Sequence, residues 1–167
     1  ILFERNYENP KQLKSLIEDL QSLTAKNSPP LFISVDQEGG RVARLKESFT
    51  QFPPMCCLGE ANSDDLAYRF GIAMGKEMKA VGINMDYAPV LDVHSNPENP
   101  IIGKRAISSN PEVVARLGCK IIQGFKDAGT FPVGKHFPGH GDTSQDSHVT
   151  LPRVERSKES LEKMELV

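Results

Sequence analysis

The sequence predicts an α/β fold built on a parallel sheet, and two observations carry that prediction. Short apolar runs alternate with stretches of helical periodicity, in the order strand then helix four times over, and such alternation is what a parallel sheet with crossover helices produces. The long polar segments all follow strands rather than helices, as on the catalytic face of a (β/α)8 or TIM barrel. Four units are half of such a barrel. The expectation is therefore a partial (β/α)8 TIM barrel of about four βα units, with long loops after the strands. A flavodoxin-like open sheet would give the same order of elements, and pattern alone does not separate the two.

Taken in order, the ILF run at Ile1 reads as the first strand. Asn9 and Pro10 form a cap and first-turn pair, and Leu13, Ile17 and Leu20 recur at helical spacing, which predicts a helix to about Ala25. Asn27 to Pro30 breaks the chain, and LFISVDQ follows as a nearly continuous apolar run of the kind buried on both faces of a parallel sheet. It ends in Asp36, Gln37 and Glu38. A loop from Gly39 to Asn62, containing Pro53 and Pro54, leads into a second helix that opens with Ser63, Asp64 and Asp65, acids placed to meet the helix dipole. Leu66, Phe70, Met74 and Met78 mark its expected buried face, and Gly82 its end.

NMDYAPVLDV reads as the third strand, with Pro89 confined to a position that needs no ladder donor. HSNPENPIIGKRAISS is a second long loop. The third helix has the clearest limits in the chain: Asn110 as cap, Pro111 at its first position, Val114, Leu117, Ile121 and Phe125 facing inward, and Gly129 as its stop. TFPVGKH is the fourth strand and runs into the glycine-rich FPGHGDTSQDSH. SKESLEKMELV is a last helical pattern without a stop signal, so the chain is expected to continue beyond Val167.

Composition narrows the function. With 167 residues, 38% hydrophobic and 25% charged, the chain suits one globular domain rather than a disordered or fibrous class. Its net charge of -2, with both signs interspersed, supplies no basic field for phosphate backbones, so nucleic acid is not an expected partner. No apolar run reaches the roughly 18 to 20 residues of a membrane helix, and no membrane segment is expected in the visible sequence. Cys56, Cys57 and Cys119 are odd in number and two are adjacent, which fits a reducing, cytoplasmic setting better than a disulfide framework. An export signal before Ile1 would lie outside the sequence, so secretion stays open.

Ionisable residues gather where strands end: Asp36 after the second, Asp92 and His94 after the third, Lys135 and His136 after the fourth. In a barrel these positions converge on one mouth. Taken alone, Asp92 or His94 could equally be a cap or a satisfied hydrogen-bonding group. The stretch KHFPGHGDTSQDSH is different, because it holds Lys135, His136, His140, Asp142, Asp146 and His148 together with Gly139 and Gly141. Proline and glycine let such a loop turn tightly and still open and close. Asp146 and His148 stand two apart, so a carboxylate to imidazole hydrogen bond can form, raising the imidazole's basicity and fixing its tautomer. With an unperturbed pKa of about 6.5, histidine can donate a proton in one step and accept it in the next.

A metal site using His136, His140, His148 and Asp146 is a weaker reading. Proline and two glycines between the first two histidines prevent the single helix on which that spacing would place both ligands on one face. No metal and no cofactor is expected.

In this order, SVDQEGGRVARL, NMDYAPVLDV, IIGKRAISSNP and KHFPGHGDTSQDSH resemble the blocks of bacterial glycoside hydrolase family 3 β-N-acetylhexosaminidases, over nearly the whole chain. The resemblance implies that residues 1–167 are the N-terminal half of that family's catalytic barrel, the remainder lying outside this sequence. It implies Asp36, Arg105, Lys135 and His136 as ligands for the hydroxyls of a nonreducing terminal N-acetylglucosamine, and His148 as general acid/base with Asp146 as its partner. That pair would replace the second carboxylate used by most glycosidases. The family's nucleophile is an aspartate on a later strand, and nothing after His148 resembles its block, so this fragment by itself is expected to be inactive. The implied activity is retaining hydrolysis of β-N-acetylglucosaminides, such as muropeptides in cell-wall recycling. Phosphorolysis, a metal-dependent hydrolase and a noncatalytic sugar-binding module are the alternatives.

Overall fold

The computed structural model describes residues 1–25, 27–145, 151–154 and 156–166. Five α-helices are present among them. α1 spans Pro10–Ser22, α2 Cys56–Ala61, α3 Asp64–Ala80, α4 Pro111–Ala128 and α5 Lys158–Met164. Their starts follow the capping chemistry of the sequence. Asn9 accepts from the Gln12 N–H at 2.9 Å, Ser63 from the Leu66 N–H at 3.3 Å, and Asn110 from the Glu112 N–H at 2.9 Å. Each bond satisfies a donor that the first helical turn leaves free. Gly129 closes α4 in the left-handed conformation, at φ 81°.

The strands are β1 (Ser34–Val35), β2 (Gln37–Gly39), β3 (Val42–Ala43), β4 (Met85–Asp86) and β5 (Phe131–Pro132). β1, β4 and β5 form a parallel sheet in that order, with Val35 opposite Asp86 and Asp86 opposite Pro132. Leu2 adds a parallel bridge to Val35 on the far side of β1. The four strand positions thus lie side by side in chain order, each joined to the next through a helix. A doubly wound open sheet must reverse its strand order at a switch point. This arrangement does not, and it is the progression of a (β/α)8 barrel.

Proline sits where the ladder needs no donor. Phe131 and Val133 donate to Asn84 O and Asp86 O at 2.8 Å each, so Pro132 occupies the alternate position whose N–H would point away. Beyond β4, the Pro89 carbonyl accepts from the Lys135 N–H while the Leu91 N–H donates back to Lys135 O. Toward β1, pairing ends at Tyr87, and the chain beyond Val35 turns away into the antiparallel β2–β3 hairpin.

The core lies between this sheet and the helices. Leu13 and Ile17 from α1, Phe70, Met74 and Met78 from α3, and Val114, Leu117, Ile121 and Phe125 from α4 join Val35, Ile83, Ala88 and Val93 in one cluster. Burying a side chain such as Phe125 contributes about 1.5–3 kcal/mol. α3 and α4 cross backbone to backbone at Gly71 and Gly124, where a Cβ on Gly124 would run into Tyr68 O.

Several expectations are corrected. The ILF run is a single bridge at Leu2 rather than a strand, and α1 stops at Ser22 instead of Ala25. The segment 39–62 is no simple loop, since it contains the hairpin and α2. Leu66 is 43% exposed, and Ala67 with Gly71 takes the inward positions beside Phe70. No helix among the described residues is long and apolar enough to cross a membrane.

Candidate active site

The site is built where strands end. Asp36 follows β1, and Glu38 lies two residues on in β2, so the extended chain sends both side chains to the same side. Between them Gln37 turns the other way and knits the hairpin. Its Oε1 accepts from the N–H groups of Arg44 at 2.7 Å and Leu45 at 3.1 Å, while its Nε2 donates to Leu45 O at 3.0 Å. With every polar atom of the Gln37 amide engaged, the flanking carboxylates have little freedom to move.

Lys135 arrives beyond β5, registered by the bridge to Val90. Its Nζ lies 2.6 Å from Asp36 Oδ1 and 2.6 Å from Glu38 Oε1. Arg105 closes a short 3-10 helix, Gly103–Arg105, in the loop after β4. Its Nε and Nη2 donate to Glu38 Oε2 and Oε1 at 2.8 and 2.7 Å, a two-toothed pairing, and Nη1 donates to Ile101 O at 3.3 Å. Glu38 is thus the hub of the array. It is 1% exposed on its side chain, whereas Asp36, at 26%, is the member most open to a ligand. Two carboxylates meet two cations, so the array is neutral as a whole, which a buried charge cluster requires. Burial by itself would lower the Arg105 pKa. The bond to Glu38 and the charges of Glu38, Asp92 and Asp36 outweigh burial and hold the guanidinium above its ordinary value.

A second carboxylate organises the loop that follows. Asp92 is buried, and its Oδ1 accepts from the backbone N–H groups of His140 at 2.6 Å and His136 at 3.3 Å. Its Oδ2 lies 2.5 Å from His136 Nδ1. A carboxylate has no proton to offer, so Nδ1 carries the hydrogen, and Nε2 of His136 is the ring atom left for other partners. His140 Nδ1 is 2.5 Å from Thr143 Oγ1. Asn99, also buried, donates to His140 O at 2.7 Å and accepts from the Ile101 and Ile102 N–H groups, so the loops after β4 and β5 are tied through one amide. Further out, Arg156 clamps Asp142 with its Nε and Nη2 at 2.8 Å each. That bond, ahead of the opposing effect of burial, holds the Asp142 carboxyl below its ordinary range.

Of the residues expected from the sequence, the structure therefore brings Asp36 and Lys135 into direct contact and joins Arg105 to them through Glu38. His136 stands on the adjoining Asp92 clamp. The expected proton-transfer pair, His148 and Asp146, lies outside the described residues. Among the described residues no group of three or more His, Cys, Asp or Glu side chains is arranged to hold a metal ion, and His136 and His140 meet ring edge to ring face, 5.9 Å apart. His94 lies apart from the array. Its N–H donates to Ser108 O at 3.1 Å, and its buried Nδ1 has no hydrogen-bond partner among the described residues.

Glu38 and Asn99 were not singled out as binding groups by sequence reasoning, and Asp92 was noted only as a strand-end residue that could equally be a cap or a satisfied hydrogen-bonding group. For Glu38 a usable signal existed, because a residue two positions from Asp36 on a strand must share its side. Asn99 offers no such signal, since its partners are up to 44 residues away.

Comparison with known proteins adds the context. The model of the glycosyl hydrolase family 3 N terminal domain matches residues 1–167. A beta-hexosaminidase from Alkalilimnicola ehrlichii is 42% identical, with 100% of this chain aligned to 49% of that protein, and beta-hexosaminidase A from Pseudoalteromonas piscicida is 44% identical over 100% of this chain and 29% of its own length. The chain therefore spans half or less of these curated relatives. Among solved structures, a glycoside hydrolase family 3 beta-N-acetylglucosaminidase from Paenibacillus sp. str. FPU-7 superposes with a TM-score of 0.95 at 46% identity, covering 99% of this chain and 32% of that one. Native NagZ from Neisseria gonorrhoeae gives 0.91 at 40% identity, covering 99% and 49%.

Proposed function

This chain belongs to glycosyl hydrolase family 3, and on that premise we propose that it serves as the N-terminal half of the catalytic barrel of a retaining β-N-acetylhexosaminidase. The observation that carries the proposal is the neutral array of Asp36, Glu38, Lys135 and Arg105 at the strand ends. A terminal sugar offers several hydroxyls that each donate and accept, and charged groups held at fixed spacing bind them through short, strong hydrogen bonds. Asp36, Lys135, Arg105 and His136 are the residues assigned to that task, with Asp36 as an acceptor and His136 acting through Nε2.

His148 is assigned to proton transfer. As the imidazolium it gives its proton to the glycosidic oxygen while a carboxylate from a later strand takes the anomeric carbon. As the free base it then removes a proton from the water that releases the sugar. Asp146 orients the ring and stabilises its charged form. The substrate class is a β-linked terminal N-acetylglucosaminide, muropeptides of cell-wall recycling being the natural candidates, and a cytoplasmic site is consistent with the three free thiols.

The test is turnover of an aryl β-N-acetylglucosaminide by the full-length protein, before and after His148→Ala. Loss of an acid/base group costs about 10²- to 10⁴-fold, and activity is expected to be indifferent to chelators. An unchanged rate in the variant, or loss on chelation with recovery on adding metal, refutes the reading.

A further inference from the structure

Beneath the array lies a carboxyl group that the reading above leaves without a task. Asp86 ends β4, is paired on one side to Val35 and on the other to Pro132, and is 0% exposed. Its Oδ1 accepts the Gln37 N–H at 2.9 Å. Its Oδ2 is buried and has no hydrogen-bond partner among the described residues.

An ionised carboxylate is an acceptor at both oxygens, and a bare buried oxygen costs its full desolvation. Of the neighbouring charges, Lys135 favours the anion and Asp36 and Glu38 oppose it. The groups that face Asp86 are Lys135, Asp36 and Glu38, and the lysine is already held at 2.6 Å by each of the other two. Arg105 is taken by both oxygens of Glu38. A third anion here would break the balance of two carboxylates and two cations. Burial, above all, drives the Asp86 carboxyl well above the ordinary carboxylate range, with Asp36 and Glu38 adding to it and the Gln37 N–H and Lys135 opposing.

We propose that Asp86 is a positioning residue that works as the neutral acid, gripping the Gln37 main chain through Oδ1 while its proton on Oδ2 leaves Lys135 to Asp36 and Glu38 alone. The Gln37 peptide sits between the two carboxylates that hold the lysine, so fixing it fixes their spacing. Ionisation of Asp86 would add a competitor for the Lys135 ammonium and loosen both contacts.

The inference uses the hexosaminidase reading for its kinetic test only. In the full-length protein, Asp86→Asn keeps an oxygen for Gln37 and carries no charge, so it should restore most of the kcat/KM that Asp86→Ala loses. The alanine variant, which leaves the Gln37 N–H buried and unpaired, is expected to fall about 10-fold or more, chiefly in KM. An asparagine variant as impaired as the alanine one overturns the proposal. Should the asparagine variant fail to fold, the wild-type Asp86 ¹³Cγ resonance, assigned through its own backbone, decides. A neutral-acid shift at pH 7 supports the proposal and a carboxylate shift refutes it. Absence of turnover on the aryl substrate would remove the proposed function and leave that spectroscopic answer standing.

Discussion

The α3–α4 crossing and the Asp36–Glu38–Lys135–Arg105 array are both buried and both join distant parts of the chain, yet they are stabilised by opposite means. At the crossing, two glycines let backbones touch and the surrounding side chains are apolar. Its stability follows area removed from water and fit. At the array, charged groups are withdrawn from water, and the arrangement stands only because every charge meets its opposite at 2.6 to 2.8 Å. Such a cluster contributes little net stability over an apolar replacement but is costly to break on one side. The crossing should therefore be sensitive to volume and indifferent to charge, and the array the reverse.

Glu38→Gln tests that contrast with the largest expected effect. The substitution conserves volume, removes the charge shared by Lys135 and Arg105, and leaves the buried guanidinium without a counter-ion. A loss of about 3–5 kcal/mol is expected for breaking a buried pair, measured from the urea midpoint at constant slope. A loss below about 1 kcal/mol would mean that the array behaves like an exposed ion pair, and the contrast would fail.

Gly124→Ala is the complementary change, adding one methyl and no charge. It forces the α3–α4 backbones apart at Tyr68 and Ile72, and about 1–3 kcal/mol of overpacking cost is expected. Sugar binding per folded molecule should be unaltered. Combined with Glu38→Gln, the two losses should add within about 0.5 kcal/mol. A larger coupling would show that helix packing sets the geometry of the charged groups, and the two regions would no longer be separable.

The same contrast explains what the sequence made legible. α4 could be read almost to the residue because Asn110, Pro111 and Gly129 act within one turn and Val114, Leu117, Ile121 and Phe125 repeat with the helix itself. Leu66 was misplaced because it sits in the first turn of α3, where the inward stripe has barely begun and Ala67 covers the core. α2 and the β2–β3 hairpin escaped notice for being only six, three and two residues long. Their stability comes from contacts such as Gly59 against Ile107 O that no local pattern encodes. Asp36, Lys135 and His136 stand out by their place at strand ends, and Arg105 only through motif resemblance. The links that make them a unit, Glu38 and Asp92, span 44 to 97 positions and exist only once the strands lie side by side.

The smallest predicted effect concerns the edge of the site and turns on two aspartates displaced in opposite directions. Asp142 is held below its ordinary range, first of all by Arg156. The folded protein therefore binds that proton less readily than the unfolded chain, whose carboxyl titrates near pH 3.9. The stabilisation is present above that pH and is lost as pH falls through the lower folded value. The pair is partly exposed, so Arg156→Ala should cost about 0.2–1 kcal/mol at pH 7, and the gap between wild type and variant should close in acid. Asp86 runs the other way. Its raised value makes stability greatest below the unfolded pKa and lower as pH rises toward the folded one, so Asp86→Asn should flatten the alkaline side of the stability curve and leave the acid side to Asp142. If the Arg156→Ala gap persisted undiminished in strong acid, the arginine would be acting through packing of its stem rather than through the carboxylate. The peripheral clamp would then belong with the helix crossing rather than with the charged array.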